Sequence, residues 1–314
     1  MIDVEEITKR YAETVAVDRL SFQVEKGEIL GLLGPNGAGK TTTMRILTGY
    51  LAADSGKVTV AGLDLRDHSL EIRRLIGYLP ENNPLYPDMG VMEYLLFIAA
   101  MRGLPKTGRR NRIDRVIELT GLEKMAHKNI GELSKGYCQR VGLAQAIVHD
   151  PEILILDEPT VGLDPNQIVE IRSLIQRFGA DKTIILSSHI LPEVAATCSR
   201  VIILNSGKLA GSGTPEEMSV RARGGNAVTF VLNGPVDAIT EKLKSRGDIK
   251  KIEIKGDEGS GKTRFRVITD GSVDIREAVF MMAVENQWVL SELYRESLSL
   301  EEIFQHLTIE EAVV

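Results

Sequence analysis

At 314 residues the chain is long enough for two domains, each with its own core. Hydrophobic residues make up 43% and charged residues 26%, the balance of an ordinary soluble globular protein. A net charge of -6 and a pI near 5.6 argue against a general nucleic-acid-binding surface.

The first thirty residues alternate apolar and polar at Ile2, Val4, Val15, Val17, Leu20, Phe22 and Val24, which predicts antiparallel strands with one buried face. Tyr11 falls in the connection between them. On local grounds it is a turn-packing aromatic, but beside a nucleotide its ring can stack on adenine. Residues 29–33 form a short apolar run that reads as a buried strand, and Thr42 opens a helix through Leu47. Between them lies the stretch GPNGAGKT, made of Gly34, Pro35, Asn36, Gly37, Ala38, Gly39, Lys40 and Thr41. A strand, a glycine-rich loop and a helix in that order aim several backbone N–H groups and the helix dipole at one point, where a polyphosphate is held. Lys40 then reaches the β- and γ-phosphates, and the Thr41 hydroxyl is placed to ligate Mg²⁺.

Downstream, Ser55-Gly56 reads as a turn, residues 57–60 as a strand, and residues 76–79 as another, closed by Pro80 and followed by Glu81. Residues 91–125 carry helical periodicity broken at Pro105 and Gly108, which predicts a helical insertion over about 85–148. Its loop, Leu133-Ser134-Lys135-Gly136-Tyr137, leads into a helix that runs to Val148. Residues 152–158 form a hydrophobic strand ending in Asp157 and Glu158. Beside a phosphate loop, the first acid can hold Mg²⁺ through water and the second can orient or deprotonate the attacking water. A turn over 162–165, a helix over 166–178 and a strand over 183–186 follow, running into Ser187-Ser188-His189. His189 lies just past a strand end, on the side where such sheets bind ligands, and there it can sense a γ-phosphate.

Two strands flank Ser206-Gly207. Thr214, Pro215 and Glu217 then carry a capping box with proline at the first helical position. Arg223-Gly224-Gly225 marks a domain boundary, giving domains 1–222 and 226–314. The tail reads strand, helix, strand, strand, helix, strand, the ferredoxin-like order, with a last helix starting at Ser299. Within it, residues 256–263 also satisfy G-x-x-x-x-G-K-T. That match is rejected, because an alternating strand pattern follows instead of a helix, and Asp257 and Glu258 put negative charge where phosphate should sit. Cys138 and Cys198 form neither a metal-ligand spacing nor a disulfide framework, so a reducing cytosol is expected. No signal segment precedes the first strands, and no apolar run approaches the ~20 residues of a membrane span, so a membrane role requires a partner with the spans.

Taken together these motifs resemble the nucleotide-binding subunits of ABC transporters, over residues 1–220. Gly34 to Thr41 resembles the Walker A loop, 153–157 with Glu158 the Walker B strand and catalytic glutamate, and Tyr11 the adenine-stacking aromatic. Asp164 resembles the D-loop aspartate, His189 the switch histidine and residues 133–137 the signature loop. The resemblance implies an α/β P-loop cassette: a mixed-sheet core, an antiparallel β subdomain and a helical subdomain, followed here by a small α+β domain. It implies an ATPase with ATP and Mg²⁺, in which Lys40, Glu158 and His189 are catalytic and Thr41, Glu81 and Asp157 hold the metal. The nucleotide-binding set is Tyr11, the loop from Gly34 through Thr42, and Ser134, Gly136 and Asp164. In the family, the signature loop meets the γ-phosphate of the opposite subunit, so the implied assembly is a head-to-tail dimer with a second copy or a close homologue. The implied location is cytoplasmic, peripheral on the inner face of the membrane through integral permease subunits.

Two positions depart from the family pattern. Glu81 replaces the usual glutamine, keeping a metal ligand but losing a donor, and Lys135 and Tyr137 stand where glycine and glutamine are common. Glu81 and the tail segment 297–304 resemble the ABC-2 type exporter subgroup, which includes multidrug, sodium, copper-enzyme maturation and gliding-motility ATPases. The rival reading is a soluble ABC ATPase acting on ribosomes or nucleic acid. Such proteins usually carry two cassettes or a long coiled coil, and this chain has neither, so no nucleic-acid partner is expected. A non-catalytic nucleotide sensor is disfavoured by the presence of both Glu158 and His189.

Overall fold

The computed structural model describes residues 1–222, 227–257, 261–269 and 274–295. The chain divides into two compact units, Met1–Ser212 and Gly213–Val314.

The first unit opens with β1 (Ile2–Tyr11) and β2 (Thr14–Val24), an antiparallel pair in which Ile2 faces Val24 and Val4 faces Phe22. Then come β3 (Ile29–Leu33), α1 (Lys40–Leu47), β4 (Ser55–Val60) and β5 (Leu63–Asp64). Strands β1, β2, β4 and β5 make one antiparallel sheet, ordered β2-β1-β4-β5. Its period-2 pattern buries Ile2, Val4, Val24, Val58 and Val60 on a single face. Ser55 and Gly56, expected as a turn, belong to β4 itself. Gly56 has φ +85, and a Cβ there would lie 2.4 Å from the Glu6 carbonyl oxygen, so the glycine marks a close crossing of strands.

The second sheet of this unit gathers strands far apart in sequence. After α2 (Ser69–Leu75) comes β6 (Ile76–Leu79), then α3 (Val91–Met101), α4 (Lys106–Thr120) and α5 (Lys135–Ile147). The chain continues through β7 (Ile153–Leu156), α6 (Pro165–Gly179), β8 (Thr183–Ser188), α7 (Leu191–Thr197), β9 (Arg200–Asn205) and β10 (Lys208–Gly213). The six strands lie in the order β10-β9-β3-β8-β7-β6, with β9, β3, β8, β7 and β6 parallel to one another. Strand β7 is buried at all four positions, as a parallel strand covered on both faces must be. Burying each such isoleucine or leucine contributes about 1.5–3 kcal/mol, and Ile2, Leu30, Leu32, Ile153 and Ile185 share one core between the two sheets. The helical region keeps its predicted break: α4 is interrupted by non-helical backbone at Thr107 and Gly108. The expected loop over 133–137 is shorter than predicted, because α5 starts at Lys135 with Ser134 as its N-cap. Among the described residues no helix is long and apolar enough to cross a membrane.

The second unit begins with α8 (Pro215–Ala222), whose capping box closes as read: Glu217 N–H donates to Thr214 Oγ1 and Thr214 N–H to Glu217 Oε2. The units divide at Ser212/Gly213, upstream of the Arg223-Gly224-Gly225 boundary, which lies outside the described residues. Next are β11 (Ala227–Asn233), α9 (Val236–Lys244), β12 (Ile249–Asp257), β13 (Lys262–Thr269), α10 (Arg276–Glu285) and β14 (Val289–Arg295). The sheet order β12-β13-β11-β14, antiparallel throughout, is ferredoxin-like. Its core stacks Phe230 on Phe265 at 5.4 Å, with Ile239 and Leu243 of α9 and Val279 and Ala283 of α10 packed against the same cluster. The helix read at Ser299 lies outside the described residues.

Candidate nucleotide site

The parallel register places the ends of β3, β7 and β8 side by side, since Leu33 pairs with Ser188 and Leu156 with Leu186. Every predicted catalytic residue of the first unit hangs from one of those ends. Past β3 the chain turns through residues 34–39 and enters α1 at Lys40. Gly39 is the N-cap, with φ +99 and no side chain to bond the helix. A Cβ on it would stand 2.4 Å from the Ala16 carbonyl oxygen, so only glycine fits the loop at that point. The first-turn N–H groups of α1 therefore have neither an intrahelical acceptor nor a side-chain cap, an arrangement that favours an anion. Lys40 is buried, its Nζ donating to the carbonyl oxygens of Gly34 at 2.8 Å and Pro35 at 3.3 Å.

A cavity of about 450 Å³ opens over this loop. Its wall is the stretch 35–42 together with Tyr11, Thr14, Val15, Ala16, Glu81 and Glu158. Tyr11 closes β1 rather than sitting in a free turn, pairing with Thr14, and its ring is 45% exposed at the cavity wall.

The two acids past β7 differ sharply in surroundings. Asp157 is fully buried: its Oδ1 accepts from Ser187 Oγ at 2.6 Å and from Thr41 Oγ1 at 3.3 Å, while Oδ2 is buried with no partner among the described residues. Burial pushes its carboxyl above the ordinary range, the Glu81 and Glu158 charges add to that, and the Ser187 and Thr41 hydrogen bonds oppose it. Glu158, also buried, has φ +48, a left-handed backbone that a glutamate adopts only when held there. Its N–H donates to Ser187 Oγ at 2.9 Å, its Oε1 faces Lys40 Nζ at 3.4 Å, and its Oε2 accepts from His189 Nδ1 at 2.9 Å.

A buried carboxylate oxygen without a donor, beside a threonine hydroxyl and a second carboxylate, is a donor set suited to a hard divalent cation. Among the described residues no three His, Cys, Asp or Glu side chains converge as a self-sufficient metal cage. The site thus fits Mg²⁺, which is bound by one or two protein ligands with phosphate and water completing its shell.

Ser134, Gly136 and Asp164 do not line this cavity. They form a separate cluster: Ser134 is the exposed N-cap of α5, its hydroxyl making no capping bond, and Gly136 lies against Gln167. Gln167 in turn completes a capping box with Asp164, Gln167 N–H donating to Asp164 Oδ1 at 2.9 Å. Lys135 extends over Gly162, which has φ +71, the left-handed region that favours glycine. Sequence reasoning missed Ser187 and Gln167. Ser187 sits two residues before His189, hence on the same side of the strand end, and Gln167 stands at the capping-box distance from Asp164. In the second match to the loop pattern, Lys262 opens β13 and pairs with Asn233, so no helix follows.

Comparisons with known proteins agree with this geometry. The sequence profile of the family described as ABC transporter matches residues 17–161. The linearmycin resistance ATP-binding protein LnrL of Bacillus subtilis (strain 168) is 34% identical over 257 residues, covering 81% of this chain and 82% of the relative. The Nod factor export ATP-binding protein I of Burkholderia pseudomallei (strain 1710b) is 39% identical over 260 residues, covering 82% of this chain and 84% of the relative. Among solved structures, the dimeric MJ0796, a bacterial ABC transporter cassette, superposes with a TM-score of 0.64 at 25% identity, over 68% of this chain and 99% of that one. The cbiO1 protein from Clostridium perfringens, part of the ABC transporter complex cbiONQ, gives 0.64 at 28% identity, over 77% and 98%. The chain belongs to the ABC transporter family, as an ATP-binding subunit built on that family's ATPase cassette.

Proposed function

We propose that this subunit hydrolyses Mg-ATP within a head-to-tail dimer, formed with a second copy or a close homologue, and thereby drives a separate membrane permease of the ABC-2 exporter kind. The observation that carries this reading is the convergence of the phosphate loop and Glu158 on one cavity wall, with Asp157 bonded to Thr41 and His189 to Glu158 behind it, while Ser134, Gly136 and Asp164 cluster elsewhere on the same unit. In that division, each copy supplies the loop for one nucleotide and Ser134, Gly136 and Asp164 for the other.

Tyr11 stacks on adenine, the loop from Gly34 to Thr42 cradles the phosphates, and Lys40 reaches the β- and γ-phosphate oxygens. Thr41, Asp157 and Glu81 would hold Mg²⁺, which when bound neutralises phosphate charge and orients the leaving group. Glu158 orients the attacking water and takes its proton; His189 keeps the Glu158 carboxylate turned toward that water. Both the linearmycin resistance and the Nod factor export relatives carry names consistent with outward transport. We assign residues 1–222 to the ATP-binding domain and 226–314 to an accessory domain without chemistry of its own, and place the subunit on the cytoplasmic face of its permease.

The test is recovery of the complex. A tagged subunit expressed with its native gene neighbours should co-purify from detergent-solubilised membranes with a multi-spanning protein, and ATP turnover should rise in that complex. Recovery with ribosomes, and none with membrane proteins, would overturn the transporter reading.

A further inference from the structure

The Ser187 hydroxyl touches both acids of the site at once. It donates to Asp157 Oδ1 at 2.6 Å and accepts from the Glu158 N–H at 2.9 Å. The residue is fully buried, so no water competes for either bond. Its single proton goes to Asp157, because an ionised carboxylate oxygen only accepts, which leaves the hydroxyl lone pairs to the backbone N–H.

Two consequences follow for the acids. Oδ1 of Asp157 is occupied by Ser187 and Thr41, so Oδ2, buried and without a partner among the described residues, is the oxygen left for a cation. At Glu158, the bond from Ser187 holds the N–H of a residue whose φ is +48. That backbone turn carries the Glu158 side chain back toward Lys40 and His189. Since His189 follows Ser187 by two positions, the end of β8 grips Glu158 at its backbone through one residue and at its carboxylate through the other. We infer that Ser187 is a positioning residue that sets the geometry of metal and water chemistry together, acting through Asp157 and Glu158. This rests on the roles proposed above for those two acids.

The test compares Ser187→Ala, Ser187→Cys and Ser187→Thr with the wild-type chain. Partners that orient metal ligands typically change metal affinity or activity by about 10- to 100-fold when removed. Ser187→Ala should lower kcat within that range and raise the Mg²⁺ concentration needed for half-maximal binding of a fluorescent ATP analogue. Binding of the same analogue in EDTA should be unchanged, because the phosphate loop is untouched. Ser187→Thr, which keeps the hydroxyl, should restore both kcat and the Mg²⁺ requirement. Ser187→Cys keeps the shape with a weak donor and should resemble Ser187→Ala, which covers the case where the alanine variant does not fold. A lower melting temperature with unchanged kcat and unchanged Mg²⁺ dependence in Ser187→Ala or Ser187→Cys would reduce Ser187 to a structural residue and overturn the inference. If Glu158→Gln and Asp157→Asn both kept wild-type turnover, the underlying site assignment would be the reading that failed.

Discussion

The Lys40 ammonium and the Glu158 carboxylate face each other at 3.4 Å, each with only 6% of its side chain exposed. A γ-phosphate reached by Lys40 therefore competes with Glu158 for the same positive charge. Glu158→Gln should relieve that competition while removing the proposed water-orienting base. Hydrolysis should fall by about 100-fold or more, and ATP affinity should hold or rise. Gel filtration with Mg-ATP should show the dimer accumulating, and wild-type turnover in this variant would remove Glu158 from the proposed role.

The same contact makes the two lysines of the two loop patterns easy to tell apart. Lys40→Ala should abolish nucleotide binding and lower stability by about 1–3 kcal/mol, because the buried Glu158 carboxylate loses the ammonium that faces it. Lys262→Ala should change neither, since Lys262 lies on a strand of the second unit. Titration with a fluorescent ATP analogue and chemical denaturation measure the two effects. Loss of binding in Lys262→Ala with binding kept in Lys40→Ala would reverse the assignment.

His149 gives the fold an acid-sensitive point away from the nucleotide. Its Nε2 donates to the Ile76 carbonyl oxygen at 3.1 Å, while Nδ1 is buried without a partner among the described residues. Burial, with the nearby Arg102 charge, lowers its pKa from 6.5 to about 4. Between those values the unfolded chain binds a proton that the folded chain refuses, so unfolding is favoured as pH falls through that window. Denaturation midpoints should drop from pH 6.5 to pH 4, and His149→Gln should flatten that limb. An identical slope in the variant would show that other groups set the acid limit.

A chain ending at Arg223 should stay folded and still bind Mg-ATP. The phosphate loop, both acids and His189 all lie within Met1–Ser212, and the second unit has its own core around Phe230 and Phe265. Turnover, or coupling to a permease, is where the truncation should register. An insoluble product, or one that no longer bound ATP, would make the second unit part of the nucleotide-binding core.

Most of the site was legible because its chemistry is local. The loop from Gly34 to Thr41 carries its own strand and helix, and Asp157 and Glu158 end an unbroken apolar run. What was not legible depends on partners brought in from elsewhere. Gly56 followed a serine and read as a turn, but what demands a glycine is the Glu6 carbonyl on a neighbouring strand. Ser187 carried no signal of its own in the sequence, because its two partners lie about thirty residues upstream and meet it only when β7 and β8 pair. Lys135 to Tyr137 read as loop, whereas Ser134 is the N-cap of a helix that begins immediately after it.

The strand order has a consequence for how the protein is made. Strand β3 sits between β8 and β9, and Gly27 N–H bonds Thr183 Oγ1, 156 residues further along the chain. Thr41 and Asp157 are separated by 116 residues. During synthesis the phosphate loop therefore leaves the ribosome long before the strands that complete its sheet exist. At about 5–20 residues per second, that interval is on the order of ten seconds, in which β3 has an apolar surface and neither of its sheet partners. Such long-range parallel pairing is slow to form and exposed to aggregation until it does. Nucleotide binding then becomes a late event of folding, and a nascent chain stalled before β8 should fail to retain ATP even though its phosphate loop is fully translated.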